Sequence, residues 1–204
     1  MIKETVFDAV FDAQKSFRLL MDAFSHPGTI HSFDHFELNQ PIEIYKSNVI
    51  IALSLFDNNI GFHASSCYNL NVENYLHLNS SAKIENIETA DYVFLNGQND
   101  ISNLIDQCKI GDLLYPEKNA TIILAVNTIS NDKIQNFDCQ INLSGPGIQT
   151  TNHLFVKGLN LVNLETIKSL NEEFPLGVDL ILTDAFEKIT VIPRSIQIEI
   201  IQNI

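Results

Sequence analysis

Apolar positions in this chain recur with two periods. In AVFDAQKSFRLLMDAFSHPG the residues Phe17, Leu20, Met21 and Phe24 fall at i, i+3, i+4 and i+7. That spacing predicts a helix with those four on its buried face and Lys15, Arg18 and Asp22 on the other. Ser25-His26-Pro27-Gly28 ends it, because the residue before a proline leaves the helical region and a glycine permits a sharp turn. TIHSFDHFEL alternates like a half-exposed strand. SNVIIALSLFDNN opens with β-branched residues but places Val49, Ala52, Leu53 and Phe56 at helical spacing, and reads as a helix capped by Ser47 and stopped by Asn58-Asn59.

Further along, GFHAS predicts a short strand, VENYLHLN a short helix and ADYVFLNG a strand closed by Gly97. ISNLIDQCKIGD predicts a helix with Ile101, Leu104, Ile105 and Cys108 inward. ATIILAVNTI and CQINLSGPGI read as strands on either side of a polar turn at Asn131-Asp132. Residues 161–174 predict a helix with Leu164, Ile167, Leu170 and Phe174 as its stripe. VDLILTD, KITVIP and SIQIEI complete the chain as strands joined by hairpins. Interleaved helices and strands without a repeat or linker predict one domain over residues 1–204, a three-layer α/β/α sandwich around a mixed sheet.

Composition narrows the function. A net charge of −13 argues against nucleic acid or an anionic membrane as the main partner. MIKETVFDAV carries acids where a signal peptide would be basic, and no apolar run reaches the length of a membrane span. A cytoplasmic protein is expected. Cys67, Cys108 and Cys139 are scattered and form no C-x-x-C, so they read as small buried residues with free thiols.

Catalytic signatures are sparse. His31 and His35 are four apart but on a strand-like segment, and no H-E-x-x-H is present, so no metal site is expected. His26 reads as a helix C-terminal cap, where a cation is favourable. LSGPGI contains Gly145-Pro146-Gly147; a G-x-G turn can cradle a phosphate, but Pro146 lacks a donor, and the plainer reading is a turn needing unusual backbone angles. Walker and nucleophile-elbow motifs are missing from the sequence. In FPLGVDLILTD, Asp179 interrupts an apolar strand. If the following hairpin loop is Ala185 to Lys188, Asp184 opposes Ile189, Leu182 opposes Val191 and Asp179 opposes Arg194. Residues so opposed lie close on one face, which predicts an Asp179–Arg194 pair that neutralises the carboxylate.

FDAQKSFRLLMDAFSHPGTI, LSGPGI and FPLGVDLILTD followed by VIPRS occur here in an order and spacing that resembles the PhnH family, a subunit of the bacterial carbon–phosphorus lyase system. Residues 35–120 match it weakly. The resemblance implies a reduced pyridoxal-phosphate-dependent transferase fold without the cofactor lysine, hence no cofactor. It implies a homodimer when alone, and PhnG-like, PhnI-like and PhnJ-like partners in the assembled core. With them the family supports displacement of adenine from MgATP by an alkylphosphonate. The nucleosidase and radical steps are placed on PhnI and PhnJ, so no catalytic residue carries over. Arg18, His26, Gly145, Gly147 and Arg194 are the positions expected to meet an anion or a partner. The competing reading is a stand-alone small-molecule enzyme or binding protein. It would hold an anion at a dimer cleft between Arg18, Arg194 and the Gly145–Gly147 turn.

Overall fold

A computed structural model describes residues 3–39, 43–65, 68 and 70–202. The helices are α1 (Phe11–Ser25), α2 (Lys46–Leu55), α3 (Leu70–Ser80), α4 (Ser102–Ile105) and α5 (Leu161–Leu170). The strands are β1 (His31–Ser32), β2 (Gly61–Ala64), β3 (Lys83–Ile84), β4 (Tyr92–Asn96), β5 (Thr121–Ala125) and β6 (Thr128–Ser130). They continue with β7 (Cys139–Ser144), β8 (Asn152–Lys157), β9 (Asp179–Thr183), β10 (Lys188–Ile192) and β11 (Gln197–Gln202).

Seven strands form a mixed sheet in the order β1-β10-β9-β5-β4-β2-β3. The run from β9 to β3 is parallel, and β10 and β1 close one side antiparallel. Both faces are covered, which is why β4, β5 and β9 read as almost unbroken apolar runs. Phe94, Ile123 and Ile181 pack with α1, α2 and α3 on one face. Val93, Leu95, Ile122, Leu124, Leu180 and Leu182 enter a second core on the other.

The expected α/β/α layering holds on the first face only. On the second, α5 shares the layer with a four-stranded antiparallel sheet, β11-β7-β8-β6, whose Ile129, Ile141, Leu143, Leu154, Val156 and Ile198 are buried. Three sequence expectations change with it. ATIILAVNTI is two strands, because the chain leaves the large sheet at Val126–Asn127 and enters the small one as β6. β8, absent from the sequence reading, bridges β7 and β6, which do not pair with each other. β9 and β10 form a hairpin, but β11 pairs with β7 instead of β10.

The helices also differ in detail. α1 buries Ser16, Leu20 and Ala23, whereas Phe17 and Met21 stay 45% and 52% exposed. Small residues allow α1 to approach α2, and Ser16 Oγ meets Ser54 Oγ at 2.5 Å across that contact. α2 is apolar on all sides because it is buried among its neighbours, with Val49, Ile50, Ile51 and Ala52 fully enclosed. Its N-cap is Tyr45; Ser47 lies inside the first turn and does not cap. α4 is a single turn that still buries Ile105, with Cys108 just beyond it. α5 stops at Leu170, leaving Phe174 outside the stripe and 63% exposed. TIHSFDHFEL provides only the two-residue β1.

Candidate functional site

Three sequence markers converge beside the small sheet. Gly28 has φ +79, and a Cβ there would lie 2.6 Å from Leu143 Cδ1. Gly147 has φ +83, with the Ser25 carbonyl oxygen 2.5 Å from where its Cβ would stand. Gly145 has φ +139 and faces the Ser195 carbonyl oxygen at 3.2 Å. The turn 145–147 is therefore wedged between the end of α1 and the link from β10 to β11. Asn152 Nδ2 donates to Pro27 O at 2.7 Å and Asn131 Nδ2 to Gly28 O at 2.8 Å, holding the same junction. Backbone oxygens occupy the space beside both glycines, which disfavours an anion there and explains the two glycines by packing.

His26 closes α1. Its backbone N–H donates to Asp22 O, and its ring Nδ1 lies 3.0 Å from Asp22 Oδ1. His31 Nε2 lies 3.0 Å from Thr29 Oγ1 and 3.6 Å from Asp22 Oδ2, while His35 stacks on Phe36. Among the described residues no group of three His, Cys, Asp or Glu side chains is placed to hold a metal. Arg18 is exposed on α1, and no contact joins it to Arg194 or to the glycine turn among the described residues.

Asp179 and Arg194 form a polar cluster at the amino end of β9. Arg194 Nη1 donates to Asp179 Oδ2 at 2.9 Å, and the Arg194 backbone N–H donates to Asp179 Oδ1 at 2.9 Å. Asn119 joins them: its Nδ2 donates to Asp179 Oδ2 at 3.0 Å, and its Oδ1 accepts from Arg194 Nη1 at 2.7 Å. Arg194 Nε donates to Pro175 O at 2.9 Å. The side chains of Asp179 and Arg194 are 16% and 18% exposed. The register differs from the sequence expectation by one residue. Thr183 faces Ile189 and Leu180 faces Ile192, so the ladder directs Pro193 toward Asp179. The turn in which Ile196 N–H donates to Pro193 O swings Arg194 back over the strand end.

This cluster borders a groove of about 360 Å³ that also contains Asp91, Tyr92 and Glu117. Lys109 Nζ pairs with Asp91 at 2.5 Å. Burial, with the charges of Asp91 and Asp179, pushes the Tyr92 hydroxyl above its ordinary pKa. The groove lies at the amino ends of β4, β5 and β9, whereas ligands of open α/β sheets gather at the carboxyl ends. Both carboxylate oxygens of Asp179 accept hydrogen bonds, from Arg194 and Asn119.

The most buried acid is another one. Asp184, 1% exposed, accepts from Ile129 N–H at 3.1 Å, Phe186 N–H at 2.8 Å and Lys188 N–H at 3.0 Å. It ties the β9–β10 hairpin to β6 of the other sheet. Burial raises its pKa despite those three donors. Its position before Ala185-Phe186 carried the signal of an Asx turn, but nothing in the sequence pointed to Ile129. Cys108 and Cys139 are buried, and burial pushes both thiols up to about 12. Cys67 lies outside the described residues.

Packed turns and hydrogen-bonded carboxylates thus lie within a mixed α/β frame. Residues 5–199 match the model of the family described as bacterial phosphonate metabolism protein (PhnH), and the chain belongs to that family. It is 29% identical over 188 residues to the C-P lyase subunit protein HtxG of Stutzerimonas stutzeri, covering 92% of this chain and 86% of the relative. It is 25% identical over 193 residues to the alpha-D-ribose 1-methylphosphonate 5-triphosphate synthase subunit PhnH of Rhizobium meliloti (strain 1021), covering 94% and 92%. The family match places the chain among the proteins of bacterial phosphonate metabolism. Among the described residues no helix is long and apolar enough to cross a membrane.

Proposed function

We propose that this chain acts as a subunit of the carbon–phosphorus lyase core in the cytoplasm, beside PhnG-like, PhnI-like and PhnJ-like subunits. There it supports formation of an alkylphosphonate ribose triphosphate from MgATP and alkylphosphonate, with no complete active site of its own. The observation that carries this reading is the family match over residues 5–199, joined to a relative named as a subunit of that synthase. The site supports it chemically. The carboxylates of the half-buried Asp179 and the buried Asp184 are occupied by donors of the chain itself. The thiols of Cys108 and Cys139 are buried and held protonated.

In the same reading the chain folds as a single PhnH-like domain, a reduced form of the pyridoxal-phosphate-dependent transferase fold without its cofactor, and forms a homodimer when alone. The exposed apolar residues Val10, Phe17 and Met21 share one side of α1 and fit a subunit contact. A tagged chain expressed in phosphate-starved cells should capture the other lyase subunits. Recovery of none of them, with the tagged protein folded, would remove the proposal.

A further inference from the structure

Arg194 is only partly used by its neighbours. A guanidinium carries five N–H donors in a fixed fork. In Arg194, Nε serves Pro175 O, and Nη1 serves Asn119 Oδ1 and Asp179 Oδ2. The two N–H groups of Nη2 have no partner among the described residues. The side chain is nonetheless held in one orientation and is 18% exposed.

Arg194 borders two grooves of opposite character. The first, described above, carries Asp91, Glu117 and Asp179, whose charges repel an anion. The second, of about 480 Å³, opens between the end of α5 and the start of β11. Its wall carries Lys168 as a second cation and Glu172 as its one acid, with Ser195 and Gln197 as further donors. Lys168 has no ion-pair partner among the described residues. Phe174 and Ile198 add apolar surface. The volume suits a small molecule.

We propose that this second groove is a binding site for a small phosphate-type dianion, held between Arg194 Nη2 and Lys168 Nζ. The Ser195 hydroxyl adds a donor, and an organic substituent lies toward Phe174 and Ile198. Asp179 balances Arg194 from the other groove, so the preference for a phosphate-type dianion over a carboxylate rests on donor number: the two N–H groups of Nη2 and the three of Lys168 Nζ suit an anion with more than two oxygens. A guanidinium already fixed by three acceptors loses little freedom on binding, which raises affinity without new contacts. The inference concerns the isolated chain and does not depend on the lyase assembly, so either can fail while the other stands.

The test is titration of the purified protein with inorganic phosphate, followed by calorimetry and by amide chemical shifts, with acetate as a monoanion control. Saturable phosphate binding with Kd on the order of 1 mM is expected, with acetate weaker. Lys168→Glu should weaken phosphate by about tenfold or more. Gln197→Glu, which places an acid on the same wall without touching the lysine, should weaken it in the same direction. Absence of saturation, equal affinity for acetate, or unchanged phosphate affinity in both folded variants would overturn the site.

Discussion

Asp179 and Arg194 meet at 2.9 Å without standing opposite each other in the β9–β10 ladder. A strand partner is held by the ladder itself. Arg194 is held by a turn, so the pair depends on Asp179 accepting both the backbone and the side chain of Arg194. Asn119 closes the triangle and fixes the loop before β5.

Removing the carboxylate therefore costs more than one bond. Asp179→Ala leaves a largely buried guanidinium without its counter-charge, and a loss of about 2–4 kcal/mol in urea unfolding is expected. Arg194→Ala should cost a similar amount, and the double variant less than the sum. Additive losses would show that the two residues do not act as a unit.

Gly147 tests the packing of the marker turns. Alanine there meets a positive φ and the Ser25 carbonyl oxygen at 2.5 Å. Gly147→Ala should lose at least about 2 kcal/mol. A thermal midpoint equal to that of the unmodified protein would mean that the turn can move away from α1.

Two carboxylates should give stability slopes of opposite sign. Burial pushes the Glu4 pKa up, but the backbone N–H groups of Val6, Asn39 and Phe7 and the Tyr75 hydroxyl outweigh it, and the net shift is downward. A depressed folded pKa gives stability that is present above the unfolded value and lost as pH falls through the folded one. The advantage of Glu4 over Glu4→Gln should therefore shrink on acidification. Asp184 is raised by burial, so its contribution is full below the unfolded pKa and fades as pH rises through the folded one. The advantage of Asp184 over Asp184→Asn should grow on acidification. Unfolding curves at several acidic pH values read both, and parallel slopes would contradict the assignment.

The thiols offer a direct check on burial. Cys108 and Cys139 are enclosed and held protonated at neutral pH. In a Cys67→Ser variant, a thiol reagent should label nothing in the native state and two groups in denaturant. Rapid native labelling would show that the core the two cysteines share opens readily.

Much of the architecture was legible from residues alone. Alternating helices and apolar runs indicated a mixed-sheet α/β fold, because a strand buried on both faces has to be apolar throughout. The family was legible from three short motifs, since prolines and glycines at sharp turns mark the chain more specifically than a core position does. SHPG, GPG and PRS proved to be one junction, where a Cβ on Gly147 would meet the Ser25 carbonyl oxygen and one on Gly28 the Leu143 side chain.

Tertiary structure decided the rest. Periodicity shows that a helix has an apolar arc, not which part of it is covered. In α1 the covered part is Ser16, Leu20 and Ala23, and the small Ser16 lets α2 come within reach of a Ser16–Ser54 hydroxyl contact. Periodicity also cannot assign a strand to a sheet, so β6, β7, β8 and β11 emerged as a second layer only when their partners were placed. The acids illustrate the same limit. The sequence by itself singled out Asp179 because a charge among apolar neighbours is conspicuous. Asp184, more deeply buried, was hidden because the N–H it satisfies belongs to Ile129, 55 residues earlier in the chain, on a strand of the other sheet.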